Sequence, residues 1–244
     1  MHPDEYRKMA AAEDQLWYYQ ALHRHVVRSV ESGNKATPLS LLDAGCGTGG
    51  LLRRLHAAYP GMQLSGLDFS PVACSLARER APAQIFEGSI TAMPFANAAF
   101  DIVVSCDVVC QVADDTQAVR EIFRCLKPGG IAVLTMPAYR WMYSYHDQAV
   151  SNLRRYSRGE LNSLLGGSGF RIITSTYWNM LLLPLVILRR KFFPPKSQES
   201  DVKMNSAPAE RVLNGIMQLE HGWLRGGGRM PFGNSVLTVA RKVA

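Results

Sequence analysis

No two cysteines of this sequence stand at C-x-x-C spacing, and the total is an odd five: Cys46, Cys74, Cys106, Cys110 and Cys125. That excludes a disulfide framework or a structural zinc site, so no metal is expected and a reducing compartment is. Long apolar runs are missing too. The longest, Met180 to Leu188, is broken by Pro184 and falls well short of the roughly 20 residues that a bilayer-spanning helix needs. The opening residues carry Asp4, Glu5, Glu13 and Asp14 with no apolar stretch, so a secretory signal is not expected. A cytoplasmic protein is expected, with peripheral contact at the inner membrane face as a variant. Repeats and low-complexity tracts are absent as well. What remains is a globular composition of 47% hydrophobic and 19% charged residues over 244 positions, enough for one sizeable core. Lysine and arginine number 27 against 20 acids, a surplus of +7. It permits an anionic partner without choosing among membrane, nucleic acid and charged substrate.

Periodicity predicts a helical opening, with Leu16, Tyr19, Leu22, Val26 and Val30 on one face and a loop from Gly33 through Asn34 to Pro38. Strands and helices then alternate. Strands are predicted at Ser40–Ala44, Gln63–Phe69, Gln84–Gly88, Phe100–Asp107 and Ile131–Met136, with helices after Gly50, at Pro71–Arg80 and at Asp115–Leu126. Apolar strands alternating with helices mean an α/β fold around a parallel sheet buried on both faces. A short helix at Leu161–Leu165, a strand at Phe170–Tyr177 and a closing strand at Ser235–Lys242 complete the pattern. Between the last two strands lies a different stretch, with a helix near Glu210–Leu224. The expected organisation is one domain: a helical cap (1–38), a cofactor-binding core (39–178), a helical insertion or lid (179–232) and a last strand (233–244).

The run Leu41-Leu42-Asp43-Ala44-Gly45-Cys46-Gly47-Thr48-Gly49-Gly50 is the most informative. Its glycines let the backbone turn sharply and approach a ligand closely as a strand becomes a helix. Gly45-x-Gly47-x-x-Gly50 satisfies the dinucleotide fingerprint, with Asp68 near the offset for a ribose contact. A nicotinamide-dependent oxidoreductase is therefore one reading. Asp43 speaks against it, being unwelcome beside a pyrophosphate and a good partner for an ammonium or sulfonium group.

These residues resemble the class I S-adenosylmethionine-dependent methyltransferases of the small-molecule type. Leu42 to Gly49 is similar to their first motif. Asp68 resembles the acid that takes the ribose hydroxyls, with Phe69 beside the adenine. Phe100-Asp101-Ile102-Val103-Val104-Ser105 resembles their fourth strand, and Leu126-Lys127-Pro128-Gly129-Gly130 the turn into the fifth. The resemblance spans Leu39 to Lys242. It implies a Rossmann-like sheet of seven strands, mostly parallel with an antiparallel terminal strand, and S-adenosylmethionine as cofactor. The cofactor positions it implies are Asp43, Gly45, Cys46, Gly47, Gly49, Asp68, Phe69, Ser89, Ile90, Cys106 and Asp107. Two departures stand out: Ser89 replaces the usual aspartate after strand three, and Cys110-Gln111 stands where many relatives read Glu-His. Tyr6-Arg7-Lys8-Met9 with Glu13, Trp17 and Tyr18 resembles the first helix of one bacterial subgroup.

Groups for the acceptor should follow strand five. Tyr139, Trp141 and neighbouring aromatics could wall a pocket, with Tyr18 from the cap. His146, with Asp147 beside it, has the proton affinity of a general base; the pair could equally cap a helix or hold Arg154. Arg154, Arg155 and Tyr156 suit a carboxylate or phosphate, or form a solvated face. The run Met180–Leu188 followed by Arg189, Arg190, Lys191, Phe192, Phe193 and Lys196 has the composition of an interfacial anchor, a lid or a dimer contact. The expected activity is methyl transfer to a small, hydrophobic or lipid-like acceptor, at oxygen first. The alternatives are the oxidoreductase and a non-catalytic module that docks at membranes through 180–196. Nucleic acid is not expected as a partner, since no base-amine motif follows strand four. A monomer or a homodimer fits equally.

Overall fold

The computed structural model describes residues 2–33, 39–194 and 200–243. The expected loop at Asn34 and Pro38 lies outside the described residues, as do Pro195 and Lys196 of the basic stretch.

β1 (Ser40–Ala44) runs parallel between β2 (Gln63–Asp68) and β4 (Phe100–Cys106). β3 (Gln84–Glu87) extends the sheet beyond β2, and β5 (Leu126–Pro137) extends it beyond β4. Beyond β5 come β7 (Ser235–Lys242) and then β6 (Phe170–Trp178), giving the order β3-β2-β1-β4-β5-β7-β6. β7 is antiparallel to both its neighbours, so the expected single reversed strand is found, slotted in as the last but one. The chain builds outward from β1 in both directions. That leaves a crevice at the carboxyl ends of β1 and β4, where ligands settle on sheets of this kind.

The strands are apolar on both faces because both faces are covered. Leu42, Val103, Ala132, Leu134 and Val236 point into one core with Val119 and Ile122 of α5 (Asp115–Cys125). Their alternates Leu41, Ile102, Val104, Ile131, Val133 and Leu237 point into the other, with Leu52 and Leu55 of α3 (Gly50–Ala58). α4 (Pro71–Arg80) follows β2 as expected.

The opening is two helices where periodicity predicted one, α1 (Pro3–Ala12) and α2 (Trp17–Gly33). The break falls where Glu13 turns inward to a buried hydrogen-bonding site. α2 lays Leu22, Val26 and Val30 on the sheet. β5 starts earlier than predicted because Leu126 already pairs with Phe100, before an irregular stretch through left-handed Gly129 (φ +79°) brings Ile131 beside Ile102. A short α6 (Tyr145–Ala149) was not legible as a helix, while α7 (Arg158–Gly167) was. The apolar run of the insertion forms only α8 (Leu183–Ile187) and a wider turn over Leu188–Phe192. Pro184 sits in the first turn of α8, where a missing N–H costs nothing. α9 (Ala207–Arg225) then packs on α2, where Trp17 N–H donates to Glu210 at 2.8 Å and the His25 and His221 rings lie 5.1 Å apart. No helix of the described residues is long and apolar enough to cross a membrane.

Candidate functional site

The loop between β1 and α3 is held in left-handed backbone at Gly45 (φ +95°), Gly47 (+52°) and Gly49 (+83°). A Cβ at Gly45 would stand 2.2 Å from the Val108 side chain, and one at Gly47 would stand 2.6 Å from Met9 Cε. Asp68, at the end of β2, fastens the loop: its carboxylate accepts Gly47 N–H at 2.9 Å, Ser70 N–H at 2.9 Å and the Tyr6 hydroxyl at 3.4 Å. Glu13 fastens it from the other side. Its carboxylate accepts the Thr48 hydroxyl at 2.6 Å and pairs with Arg80 at 2.9 Å. Thus α1 and α2 are clamped over the glycines.

Asp43 differs from these acids. It is 2% exposed, and its Oδ1 has no hydrogen-bond partner among the described residues. Burial pushes its proton affinity well above the usual carboxylate range, and the nearby Glu13 and Asp68 carboxylates push the same way. An unpaired buried carboxylate is strongly disfavoured, which suits Asp43 to a cationic partner. Asp107 follows β4 at φ +57°, a conformation that an aspartate holds only at a cost. It accepts the Tyr18 hydroxyl at 2.8 Å and the Thr135 hydroxyl at 3.3 Å, and burial raises its proton affinity.

A cavity of about 500 Å³ joins these groups. Of the expected residues, Asp43, Gly45, Cys46, Gly47, Asp68, Cys106, Asp107, Tyr18, His146 and Arg155 line it. Gly49 is behind the loop, packed 3.1 Å from Ala77 by the position its Cβ would take. Phe69 is 79% exposed, Ser89 bonds to Thr91, and Ile90 is buried in the core; none of the three lines the cavity.

Several acceptor residues are engaged elsewhere. Tyr139 stacks between Trp141 and Tyr177, with centroids 6.0 and 5.2 Å away, and this stack lies outside the cavity lining. Arg154 pairs with Asp115 at 2.8 Å, and the Tyr156 hydroxyl donates to the same carboxylate at 2.7 Å. Asp147 is fully buried. It pairs with Arg155 at 2.9 Å, accepts from Asn152 at 3.0 Å and closes a capping box with Ser144. The catalytic role expected of Asp147 beside His146 is not the one present: it caps α6 and pairs with Arg155, not Arg154, and it does not line the cavity. Those pairs spend the charge that a carboxylate or phosphate would have needed.

His146 lines the cavity, but its Nδ1 accepts the backbone N–H of Asp201 at 3.0 Å. Burial and the Arg190 guanidinium hold its proton affinity down, to about 3, so the ring is neutral at physiological pH. With Nδ1 taken, the neutral ring carries its hydrogen on Nε2. A proton-bearing Nε2 is not a general base, which corrects the role expected of it.

Other lining residues were not assigned from the sequence. Asn179 is fully buried, at φ +59°, and neither amide atom has a partner among the described residues. Asn234 is 5% exposed, with its Oδ1 in the same position. Leaving such a group unpaired costs about 1–3 kcal/mol. Only positional signals existed: an asparagine after β6 and another before β7. Arg189 and Arg190 also line the cavity, both bonded to Asp201, at 3.1 and 2.8 Å. They are not free surface charges, as the anchor reading required.

Residues 42–134 match the family described as "Methyltransferase domain". The chain is 34% identical over 116 residues to the demethylmenaquinone methyltransferase of Thermus thermophilus, covering 45% of this chain and 53% of that protein. It is 35% identical over 135 residues to the malonyl-[acyl-carrier protein] O-methyltransferase of Enterobacter lignolyticus, covering 52% and 53%. The aligned part thus spans about half the length of these curated relatives. Among solved structures, the S-adenosylmethionine dependent methyltransferase from Mesorhizobium loti superimposes with a TM-score of 0.61 at 17% identity, covering 94% of this chain and 99% of that one. That likeness speaks for the fold.

Proposed function

Its domain at residues 42–134 puts this chain in the class I S-adenosylmethionine-dependent methyltransferases, and on that premise we propose that it methylates an oxygen of a small, apolar acceptor. The observation that carries the proposal is the orphaned Asp43 carboxyl beside a left-handed glycine loop in one cavity. A buried acid awaiting a cation, and a cradle that any Cβ would fill, fit a ligand with a cationic head and a ribose. Asp43, Asp68 and the backbone of Gly45 to Gly47 would hold it. When bound, S-adenosylmethionine supplies an electrophilic methyl on sulfonium for in-line displacement. The nicotinamide alternative is dropped, because two buried carboxylates flank the loop and the second half of the sheet is interrupted by the antiparallel β7 between β5 and β6.

The chain's own residues align the partners and keep water out. Tyr6 and Met9 of α1 close over the loop, and Leu16, Trp17, Leu185 and Leu213 add an apolar wall beside the polar stretch of Arg189, Arg190, Asp201 and Lys203. That wall suits an apolar acceptor, and one relative's name specifies O-methylation. An acceptor hydroxyl loses its proton as the bond to carbon forms. Asp107, a cavity carboxylate with raised proton affinity, is suited to take it. His146 would offer its Nε2–H to the acceptor, and its Nδ1, by accepting the Asp201 N–H, ties α6 to that segment.

The test is transfer of labelled methyl from S-adenosylmethionine into a lipid and metabolite extract, with the labelled acceptor then purified. Wild type is expected to yield one extractable product; no product from protein that binds S-adenosylhomocysteine would overturn the activity. His146→Gln is expected to raise the acceptor KM severalfold and keep kcat within about tenfold. A kcat loss nearer the 10²–10⁴ of a missing general base would restore His146 to that role.

A second reading, contact with an anionic membrane face, is favoured by one observation. Leu181, Leu185, Leu188, Phe192 and Phe193 are each between 45% and 69% exposed, next to Lys191. Replacing Phe192 and Phe193 together by serine is expected to lower co-sedimentation with phosphatidylglycerol vesicles at least fivefold. Unchanged sedimentation removes the reading.

A further inference from the structure

The acceptor end of the cavity holds a recognition device. Asn179 closes β6 and Asn234 opens β7, and both line the cavity with unpartnered amide atoms. From β1, which carries Asp43, to β7 is three strand steps through β4 and β5, about 14 Å at the usual spacing. The pair therefore faces what lies beyond the cofactor loop.

Its position is built. Glu220 of α9, itself 1% exposed, accepts the backbone N–H of Asn179, of Met180 at 2.8 Å and of Leu181 at 3.2 Å. That carboxylate holds the left-handed turn which aims Asn179. Asn234 N–H donates to the Asn179 carbonyl at 3.2 Å, coupling the two turns. Their close approach needs the intervening glycine, since a Cβ on Gly233 would stand 2.3 Å from the Trp178 carbonyl oxygen.

We propose that Asn179 and Asn234 form the specificity subsite of the acceptor, and that it takes a neutral head presenting a hydrogen-bond donor beside an acceptor. The inference rests on the methyltransferase reading of the cavity. Asn179 offers one donor and one acceptor edge whichever way its amide is turned, and Asn234 Oδ1 asks for a further donor. Close to the pair, Arg155 is spent on Asp147 and on the Ala138 carbonyl at 2.9 Å, while Arg189 and Arg190 share the single carboxylate of Asp201 and Lys203 also lines the cavity. A carboxylate or phosphate head seated on the pair would face the Asn234 oxygen, which a neutral head with a donor satisfies.

An isosteric pair of probes separates the cases: 2-naphthamide, neutral with donor and acceptor, and 2-naphthoate, the anion. Each is titrated by calorimetry into the full chain, with and without saturating S-adenosylhomocysteine. The amide is expected to bind at least tenfold tighter than the carboxylate. Asn234→Ala and Asn179→Gly, the latter compatible with the left-handed turn, should each cost the amide at least tenfold and leave S-adenosylhomocysteine affinity within twofold. Equal or tighter binding of the carboxylate, amide binding unmoved by either variant, or a wild type that binds neither probe overturns the subsite. Failure of S-adenosylhomocysteine to bind while amide selectivity persists would instead overturn the methyltransferase reading.

Discussion

Asp43→Asn is expected to weaken S-adenosylhomocysteine binding while making the ligand-free protein more stable. A charge-assisted contact contributes about 1.5–3 kcal/mol, so the affinity loss should be roughly 10- to 150-fold. Stability moves the other way because Asp43 is a buried acid with an orphaned oxygen and a raised proton affinity. For a carboxyl whose affinity is higher folded than unfolded, the stabilising contribution is complete below the unfolded pKa and is lost as pH rises through the folded one. Asparagine resembles the protonated form at every pH. The stability gap between variant and wild type should therefore be small near pH 4 and widen as pH rises, in melting curves taken without ligand. The same linkage makes the wild type release protons on binding a cationic head, so its affinity should rise with pH across the ligand-free titration. Equal ligand affinity in the variant would remove Asp43 from the site.

Asp147→Ala should show the opposite balance. Its partner Arg155 is 2% exposed, and removing one member of a buried pair leaves the other uncompensated. Losses of that kind run to about 3–5 kcal/mol. For a chain of this size that lowers the melting temperature by roughly 6–20 °C. S-adenosylhomocysteine affinity of the folded protein is expected to stay within a few-fold. If instead the melting temperature held and turnover vanished, Asp147 would be a catalytic group after all.

The sheet was legible because each strand and helix carries its own signal. Alternating runs end in proline or glycine, and β1, α4 and β7 fall at their predicted bounds. The floor of the cofactor site was legible for the same reason, since a glycine loop needs consecutive residues. Its walls come from distant places. Tyr6 and Glu13 reach the loop from α1 and the turn after it, and Asn179 and Asn234 meet only because β7 inserts beside β6. The arginines misled for a related reason. Arg154-Arg155 reads as an anion site in isolation, and only the fold brings Asp115 and Asp147 alongside to neutralise it.

The place of β7 also governs when this sheet can form. Among the described residues β6 pairs along its length with β7 alone, with a single bridge from Tyr177 to Met230, and α8, the Leu188–Phe192 turn and α9 all precede β7 in the chain. During synthesis β6 and the far edge of β5 must wait, with their N–H and C=O groups unmatched, until Ser235–Lys242 has emerged. Pairings so distant in sequence form slowly, and waiting edges invite intermolecular strand addition. The late-arriving strand is thus both the lock of the acceptor end and the step at which nascent chains are most exposed to aggregation.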